Sequence, residues 1–409
     1  VTFLQDTLLM LAETLQKHRY LWEPEPFLLR NMPWVDSEPK MQSALLALSG
    51  ETVDYLLQDS HHCEQWLAEQ LPELFNELRR WQPKTYQPKY YSEHEHMSIG
   101  IPGRKWQQIQ AFQQVIRDLP AVLTTADWCG GKGFLAAYLS AQQGCQVDCL
   151  DYDKILCEEG LARIDEYDLP VTFYQRDVLQ AIDQEIIDRN ERHVALHACG
   201  ELHRSMMRQT IGHVEQLCLS PCCYHLGAKT QNLLSNTAKN SALTLSQREM
   251  RIPLLETVTG GQQALRNRRT EQIWRLAYDA WRADTTKDSV YRPLKSVSKR
   301  FFKQPAREFF SWAAKQHRLE FNEEADISEY LKRGESAFEM SERLGIVRQA
   351  LKRYIEYFLV LDLACFAEEH GYHTEVVEFC EKTITPRNLL VMATTKNNPN
   401  DVNAIFKAC

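Results

Sequence analysis

Within DWCGGKGFLAAYLS, Asp127 to Ser140, glycine takes three of the four positions from 130 to 133, directly ahead of an apolar, helix-like run. Glycine bunched in this way lets a backbone approach a ligand closely and adopt torsions that side chains resist. A triphosphate loop, G-x-x-x-x-G-K-[ST], is excluded, because Lys132 comes too early and Gly133 follows it where a magnesium-holding hydroxyl belongs. A dinucleotide fingerprint, G-x-G-x-x-G, is poorly met, because Gly131 and Gly133 have no third glycine at the required offset. Two further stretches carry chemistry: LHACGEL, Leu196 to Leu202, and SPCCYHL, Ser220 to Leu226. Both follow apolar strands, so His197, Cys199, Cys222, Cys223 and His225 should converge at the rim beside the glycine loop. Thiolate and imidazole are zinc ligands, but His-x-Cys and Cys-Cys-x-His are not the usual spacings, and adjacent cysteines at a strand end point to opposite sides. A cysteine nucleophile, its thiolate favoured by His225, is a second reading, and a binding and positioning role a third. Lys132 and His225 are the nearest candidate bases; for Lys132 that role requires a desolvated amine, so a phosphate or substrate contact serves equally.

These residues need a frame. From Ala121 onward AVLTTAD, CQVDCLDYD, VTFYQRDV, HVALHACG and EQLCLSPCCYH read as strands, and apolar helical runs separate them. That alternation predicts an α/β fold, a parallel sheet with helices on both faces, whose ligands sit at the carboxyl ends of the strands. Each motif above falls at such an end. Ahead of the sheet, residues 1–95 read as an N-terminal helical domain, with Gln82 to His96 as a linker. Residues 96–225 hold the five strands, residues 226–370 read as a helical and basic insertion, and 371–409 as a closing hairpin turning at Pro386.

The spacing Asp127-x-Cys129-x-Gly131-x-Gly133 resembles the first motif of class I S-adenosylmethionine-dependent methyltransferases, acid-x-Gly-x-Gly-x-Gly. The resemblance implies a Rossmann-like sheet, S-adenosylmethionine as cofactor, and Asp127, Cys129, Gly131 and Gly133 around it. Asp151, 18 residues past Gly133, stands where a carboxylate bridges ribose hydroxyls, and Asp177 where the family presents an acid to the adenine amine. Cys129 departs from the motif's first glycine, and a cysteine takes positive φ less readily. HACGEL with CCYH resembles the eukaryotic tRNA acceptor-stem 2′-O-methyltransferases, which carry His-Leu-Cys-Gly and Cys-Cys-His-His. It also resembles a wider methyltransferase family that includes a protein named for an rRNA adenine dimethylase-like domain. That family shares a Gly-Lys-Gly loop, a Cys-Gly-Asp-Leu stretch, a Cys-Cys-Tyr motif and a closing segment like TPRNLLVMATTK. Its Lys-Lys segment is matched by GRKW, which places Arg104 and Lys105 with the substrate contacts. The resemblance spans 96–226 and 372–397 and favours the positioning role. It puts His197 and Cys199 with the cofactor residues, keeps Cys222, Cys223, His225 and Lys132 as catalytic candidates, and assigns no metal. In RNA 5-methylcytosine methyltransferases the nucleophilic cysteine can stand where SPCC does. Glu201 replaces the motif's Asp and Tyr224 a His, so the substrate atom does not carry over. No Asn/Asp-Pro-Pro-Tyr motif of adenine N6 methylation occurs.

Charge speaks to the substrate. The 409 residues carry a net −8, yet residues 266–318 hold 14 Lys/Arg against 5 Asp/Glu, a balance of +9, while residues 1–100 hold 8 against 15, a balance of −7. A basic island in an acidic chain suits a polyanion, and RNA is the expected partner, tRNA or rRNA, with Arg266, Arg268, Arg269, Lys299 and Arg300 on phosphates. A protein or small-molecule acceptor, or a cofactor-binding module without catalysis, are the alternatives. Eight of the twelve cysteines lie between 129 and 223 with no disulfide spacing, as suits free thiols in a reducing cytoplasm. No apolar run is long enough for a membrane span. The amphipathic start lacks a signal-peptide pattern, and its beginning at Val1 leaves a removed leader open.

Overall fold

The computed structural model describes residues 1–29, 31–89, 94–227, 232–255, 262–298 and 300–395. Two compact units result: Val1–Gln16, Leu78–Pro253 and Tyr354–Cys409 make the first, and Lys17–Glu77 with Leu254–Arg353 the second. This grouping puts residues 17–77 with residues 254–353 and leaves residues 1–16, 226–253 and 354–370 with the sheet, which the linear boundaries at 95, 225 and 370 do not express.

The first unit is built on one eight-stranded sheet. Its strands are β1 (Lys84–Thr85), β2 (Thr124–Trp128), β3 (Gln146–Asp151), β4 (Val171–Gln175), β5 (Arg192–Cys199), β6 (Gln216–Cys222), β7 (Tyr372–Glu378) and β8 (Leu389–Thr395). They lie in the order β1-β7-β8-β6-β5-β2-β3-β4. β8 runs antiparallel to both β6 and β7, and the other pairings are parallel. This is the Rossmann-like sheet of class I methyltransferases, closed by the expected hairpin. The central strands are apolar almost throughout because helices cover both faces. Val147, Cys149, Val194 and Cys218 belong to a core that includes Phe112 of the helix Gly103–Arg117 and Leu139 of the helix Phe134–Gln143. One expectation fails: the linker at 82–96 contributes β1, which pairs Lys84 with Val377. Two residues are too few to write a strand period into sequence.

Crossing back from β4, the chain places β5 beside β2, so the strand order reverses between them. At the opposite end of the sheet, Arg192 is buried and donates to Gln216 Oε1 (2.8 Å), Gln143 Oε1 (2.8 Å) and the Pro120 carbonyl (2.8 Å). Each of its three nitrogens therefore donates a hydrogen bond, which offsets the cost of burying the guanidinium.

The second unit is helical, with helices at Pro39–Ala47, Gly50–Leu56, Ser60–Gln70, Gln262–Thr286 and Ala306–Gln316, and residues 328–353 of the long helix Ser328–Glu369. Ser49 and Asp59 cap two of them by accepting the Thr52 and His61 N–H groups. Its core gathers Tyr278, Phe309 and Phe310 with Trp274, Trp281, Phe301, Phe302 and Phe321 packed around them. The insertion is less helical than its pattern predicts, since residues 287–298 carry no helix. Among the described residues, no helix is long and apolar enough to cross a membrane.

Candidate active site at the strand ends

The carboxyl ends of β2, β3, β5 and β6 hold the motifs. At β2, Asp127 is buried at 1% exposure. One of its oxygens has no hydrogen-bond partner, and burial pushes its carboxyl up to about 7, against the pull of the Lys105 charge. The chain then turns through Cys129 (φ +58), Gly131 (φ +60) and Gly133 (φ +66). Cys129 thus takes the left-handed backbone that its glycine counterpart would take, at a cost of roughly 1–2 kcal/mol. Gly133 is required twice over, by its φ and because a Cβ there would stand 2.5 Å from Phe173 Cζ. At Gly131 nothing lies within 4 Å of where a Cβ would be, so this face of the loop is open.

Asp151, 8% exposed, closes β3 against that loop. Its two oxygens accept the N–H groups of Gly131 (2.9 Å) and Asp153 (2.9 Å), so one carboxylate fixes both turns. Asp177 is exposed beyond β4 and accepts the Leu179 N–H at 3.1 Å. Its negative charge and those of Asp151 and Asp127 all act on the Cys129 thiol, which burial above all pushes up to about 12. Asp151 is thus hydrogen-bonded to the loop, while Asp177 bonds the Leu179 N–H.

At β5 the register to β6 shifts between Leu196 and Ala198, and His197 sits in this bulge at φ +66. Bulges of this kind re-aim a side chain. Here the imidazole meets Gln108 Oε1 at 2.8 Å, and burial, then the charges of Arg387 and Lys105, push it down to about 4, so it is neutral at pH 7. Cys199 pairs with Cys222 in register, and their sulfurs are 3.2 Å apart. The Cys199–Cys222 contact, in which either sulfur can donate, lowers the Cys199 thiol, with help from Cys223 and Arg387, and drives the Cys222 thiol up. Cys223 also rises, chiefly through burial.

Cys223 corrects a premise drawn from strand geometry. β6 ends at Cys222, and Cys223 turns back with φ +49, so the adjacent thiols do not diverge. The Sγ atoms of Cys199, Cys222 and Cys223 all lie within 4.8 Å of one another. Gly200 locks the two motifs together: its N–H donates to the Cys222 carbonyl (2.9 Å), and its missing side chain leaves room for the Leu226 carbonyl. The next residue, Glu201, donates its N–H to that same Leu226 oxygen at 3.0 Å.

His225 is partly buried, its Nδ1 without a partner, and burial and Arg251 push its imidazole down. Tyr224 faces the core, donating to Glu356 Oε1 at 3.1 Å. Lys132 pairs with Glu159 at 2.5 Å on the surface, with 44% of its side chain exposed, and lacks the burial a lysine base needs. Arg104 and Lys105 are exposed at the start of their helix, and Lys105 Nζ lies 5.1 Å from the centre of the Phe134 ring. Two contributors escaped the sequence reading. Gln108 gave no signal, and Arg387 lies in the quoted TPRN segment without having been singled out.

The basic island belongs to the second unit. Arg268 approaches Glu342 (3.9 Å) and Arg269 approaches Glu335 (3.5 Å), while Arg266 and Arg300 are exposed. Lys299 lies outside the described residues. Arg275, Arg282 and Arg292 pair with Glu271, Asp279 and Asp288. The aromatics between these charges form the unit's core.

Residues 104–230 match the family model of a methyltransferase domain. No curated protein sequence matches the chain. Among solved structures it is similar to M. capricolum TrmK in complex with S-adenosyl-homocysteine, at 13% identity and a TM-score of 0.23, covering 26% of this chain and 49% of that one. It is also similar to a methyltransferase described as S-adenosyl-L-methionine-dependent from Methanococcus maripaludis, at 16% identity and a TM-score of 0.25, covering 34% and 68%. A third, from Geobacter sulfurreducens with S-adenosyl-L-homocysteine, shares 12% identity at a TM-score of 0.24, covering 32% and 56%. The matched part spans about half the length of the first of these. The domain match falls on the sheet and loops described above, so residues 104–230 match a methyltransferase domain and have the class I fold.

Proposed function

We propose that the protein transfers a methyl group from S-adenosylmethionine to RNA, a tRNA or an rRNA. The observation that carries the RNA reading is the +9 island at 266–318 in a chain of net −8. Arg266, Lys295, Arg300 and Lys303 are exposed within it. Phosphates take such cations readily, and exposed Arg104 and Lys105 add charge at the domain that holds the cofactor loop. A reducing cytoplasmic setting, which keeps the thiols free, goes with this reading.

When bound, the cofactor supplies an activated methyl on a cationic sulfur. The residues around it have to bind and align, because an in-line displacement asks mainly for positioning. The open face at Gly131 and the partnerless oxygen of Asp127 fit a ligand that brings a polar or cationic group to the loop. Asp151, held by two N–H donors, is set to take hydroxyls. His225, neutral and with Nδ1 unpartnered, is the base we assign for a nucleophile that must lose its proton.

The test is transfer of a labelled methyl group into RNA from cells lacking the gene, separated into tRNA and the two rRNA fractions. Counts in one fraction, lost in Asp151→Ala, support the reading. No counts in any fraction, with cofactor binding measurable, refute it. The second reading, a protein or small-molecule acceptor, is favoured by the ion pairs that occupy Arg268, Arg269, Arg275, Arg282 and Arg292.

A further inference from the structure

Thiols elsewhere in the first unit have an ordinary explanation. Cys145, Cys149, Cys218 and Cys380 are buried in the apolar core and act as small hydrophobes. Cys199, Cys222 and Cys223 do not fit that description. They stand together at the end of the sheet, Cys199 and Cys223 are only partly buried, and their sulfurs face one another. Among the described residues, no other group of three His, Cys, Asp or Glu side chains converges in this way.

We propose that Cys199, Cys222 and Cys223 bind a thiophilic divalent cation of the zinc class, with a fourth position left to water or substrate. This inference is independent of the RNA reading. Zinc–sulfur bonds of about 2.3 Å in a tetrahedral site set the sulfurs about 3.8 Å apart. The observed spacings bracket that value, from 3.2 Å between Cys199 and Cys222 to a limit of 4.8 Å for the set. The Cys199–Cys222 separation has to open by about 0.6 Å and the others to change by at most about 1 Å, which side-chain rotation supplies without moving a strand. Three side chains from two segments are already fixed. Cys199 and Cys222 are paired in register across β5 and β6, and the left-handed turn at Cys223 brings in the third.

The proton and charge balance is simple. Three thiols give up three protons and the dication takes three thiolates, so the site carries one net negative charge. The His197 carbonyl lies 3.5 Å from both the Cys199 and the Cys222 sulfur and can accept whichever thiol is not donating to the other. Coordination also gives the linked motifs a reason for three cysteines where packing needs none. A three-thiolate set with an open position is the arrangement of a site that admits a further ligand.

The experiment uses the whole chain, purified reduced from zinc-supplemented cells without chelator. Zinc is counted by mass spectrometry of the metal, and cobalt(II) is titrated into the zinc-stripped protein. We expect close to one zinc per chain and sulfur-to-cobalt charge-transfer absorption in the near ultraviolet. Cys199→Ser and Cys223→Ser should each lower the zinc at least tenfold, and Cys145→Ala should leave it unchanged. Fully reduced wild-type protein that holds no zinc and gains no charge-transfer band overturns the proposal. So does zinc that survives Cys199→Ser and Cys223→Ser together. Both readouts are taken without RNA, so zinc retained beside failed RNA methylation separates this inference from that reading.

Discussion

Replacing Asp127 by asparagine should make the protein more stable relative to wild type as the pH rises. The folded carboxyl is pushed from 3.8 up to about 7 by burial, so the unfolded chain gives up this proton first. Wild-type stability therefore falls from about pH 4 upward and levels off above pH 7, when the folded form has ionised as well. At about 1.4 kcal/mol per pH unit of separation, the full penalty is about 4 kcal/mol, and about 2.5 kcal/mol of it accrues between pH 5 and pH 8. Asparagine removes the titration. It brings an NH₂ to the side where one carboxylate oxygen has no partner, a cost of roughly 1–3 kcal/mol. That cost does not vary with pH and drops out of the comparison across pH. Urea unfolding of both proteins at pH 5, 6, 7 and 8 should show the variant gaining on wild type by about 2.5 kcal/mol over the range. A difference between the two that stays constant from pH 5 to pH 8 would refute the burial argument.

Three further outcomes are expected. Asp151→Ala takes the acceptor from the Gly131 and Asp153 N–H groups and, at roughly 1.5–3 kcal/mol for a bond to a charged group, should weaken S-adenosylmethionine binding at least tenfold by calorimetry. An unchanged Kd would mean the loop holds its shape without this carboxylate. Gly133→Ala meets Phe173 and a left-handed backbone together; thermal unfolding should show a loss that Phe173→Leu recovers only in part, because the backbone cost of roughly 1–2 kcal/mol stays. Full recovery in the double variant would leave the positive φ without a cost. If about five phosphates are neutralised, RNA affinity should fall with salt at a log–log slope of roughly −3.5 to −4.5, and Arg300→Glu should flatten it by close to one contact. A slope near zero in a filter-binding series would remove RNA as the substrate.

The sheet could be read ahead of the structure because strands covered on both faces are written as continuous apolar runs, and four of them ended in motifs. The closing hairpin was legible for the same reason, with Pro386 marking its turn. What stayed hidden had no period to carry it. β1 is two residues long, and its pairing with β7 joins Lys84 to Val377, nearly three hundred positions away. The irregular stretch at 287–298 interrupts an insertion whose flanking helices set the pattern for the whole. The basic island was visible as charge, but its ion pairs were not, since Arg269 and Glu335 meet only after folding.

That the two motifs meet at the strand ends was legible; that both adjacent cysteines face one point was not, and it changes how the two motifs should be understood. Pleat geometry sends adjacent side chains to opposite faces, and that rule holds only while the chain remains a strand. At Cys223 it no longer does, and a single left-handed residue reverses the conclusion. HACGEL and CCYHL are then not two sites but one. Gly200 and Glu201 of the first donate backbone N–H groups to the Cys222 and Leu226 carbonyls of the second, on either side of the turn that presents Cys223. An alanine at Gly200 would drive its Cβ into the Leu226 carbonyl and displace that turn, although Gly200 itself carries no chemistry. Residues with no reactive group thus decide where three reactive sulfurs meet.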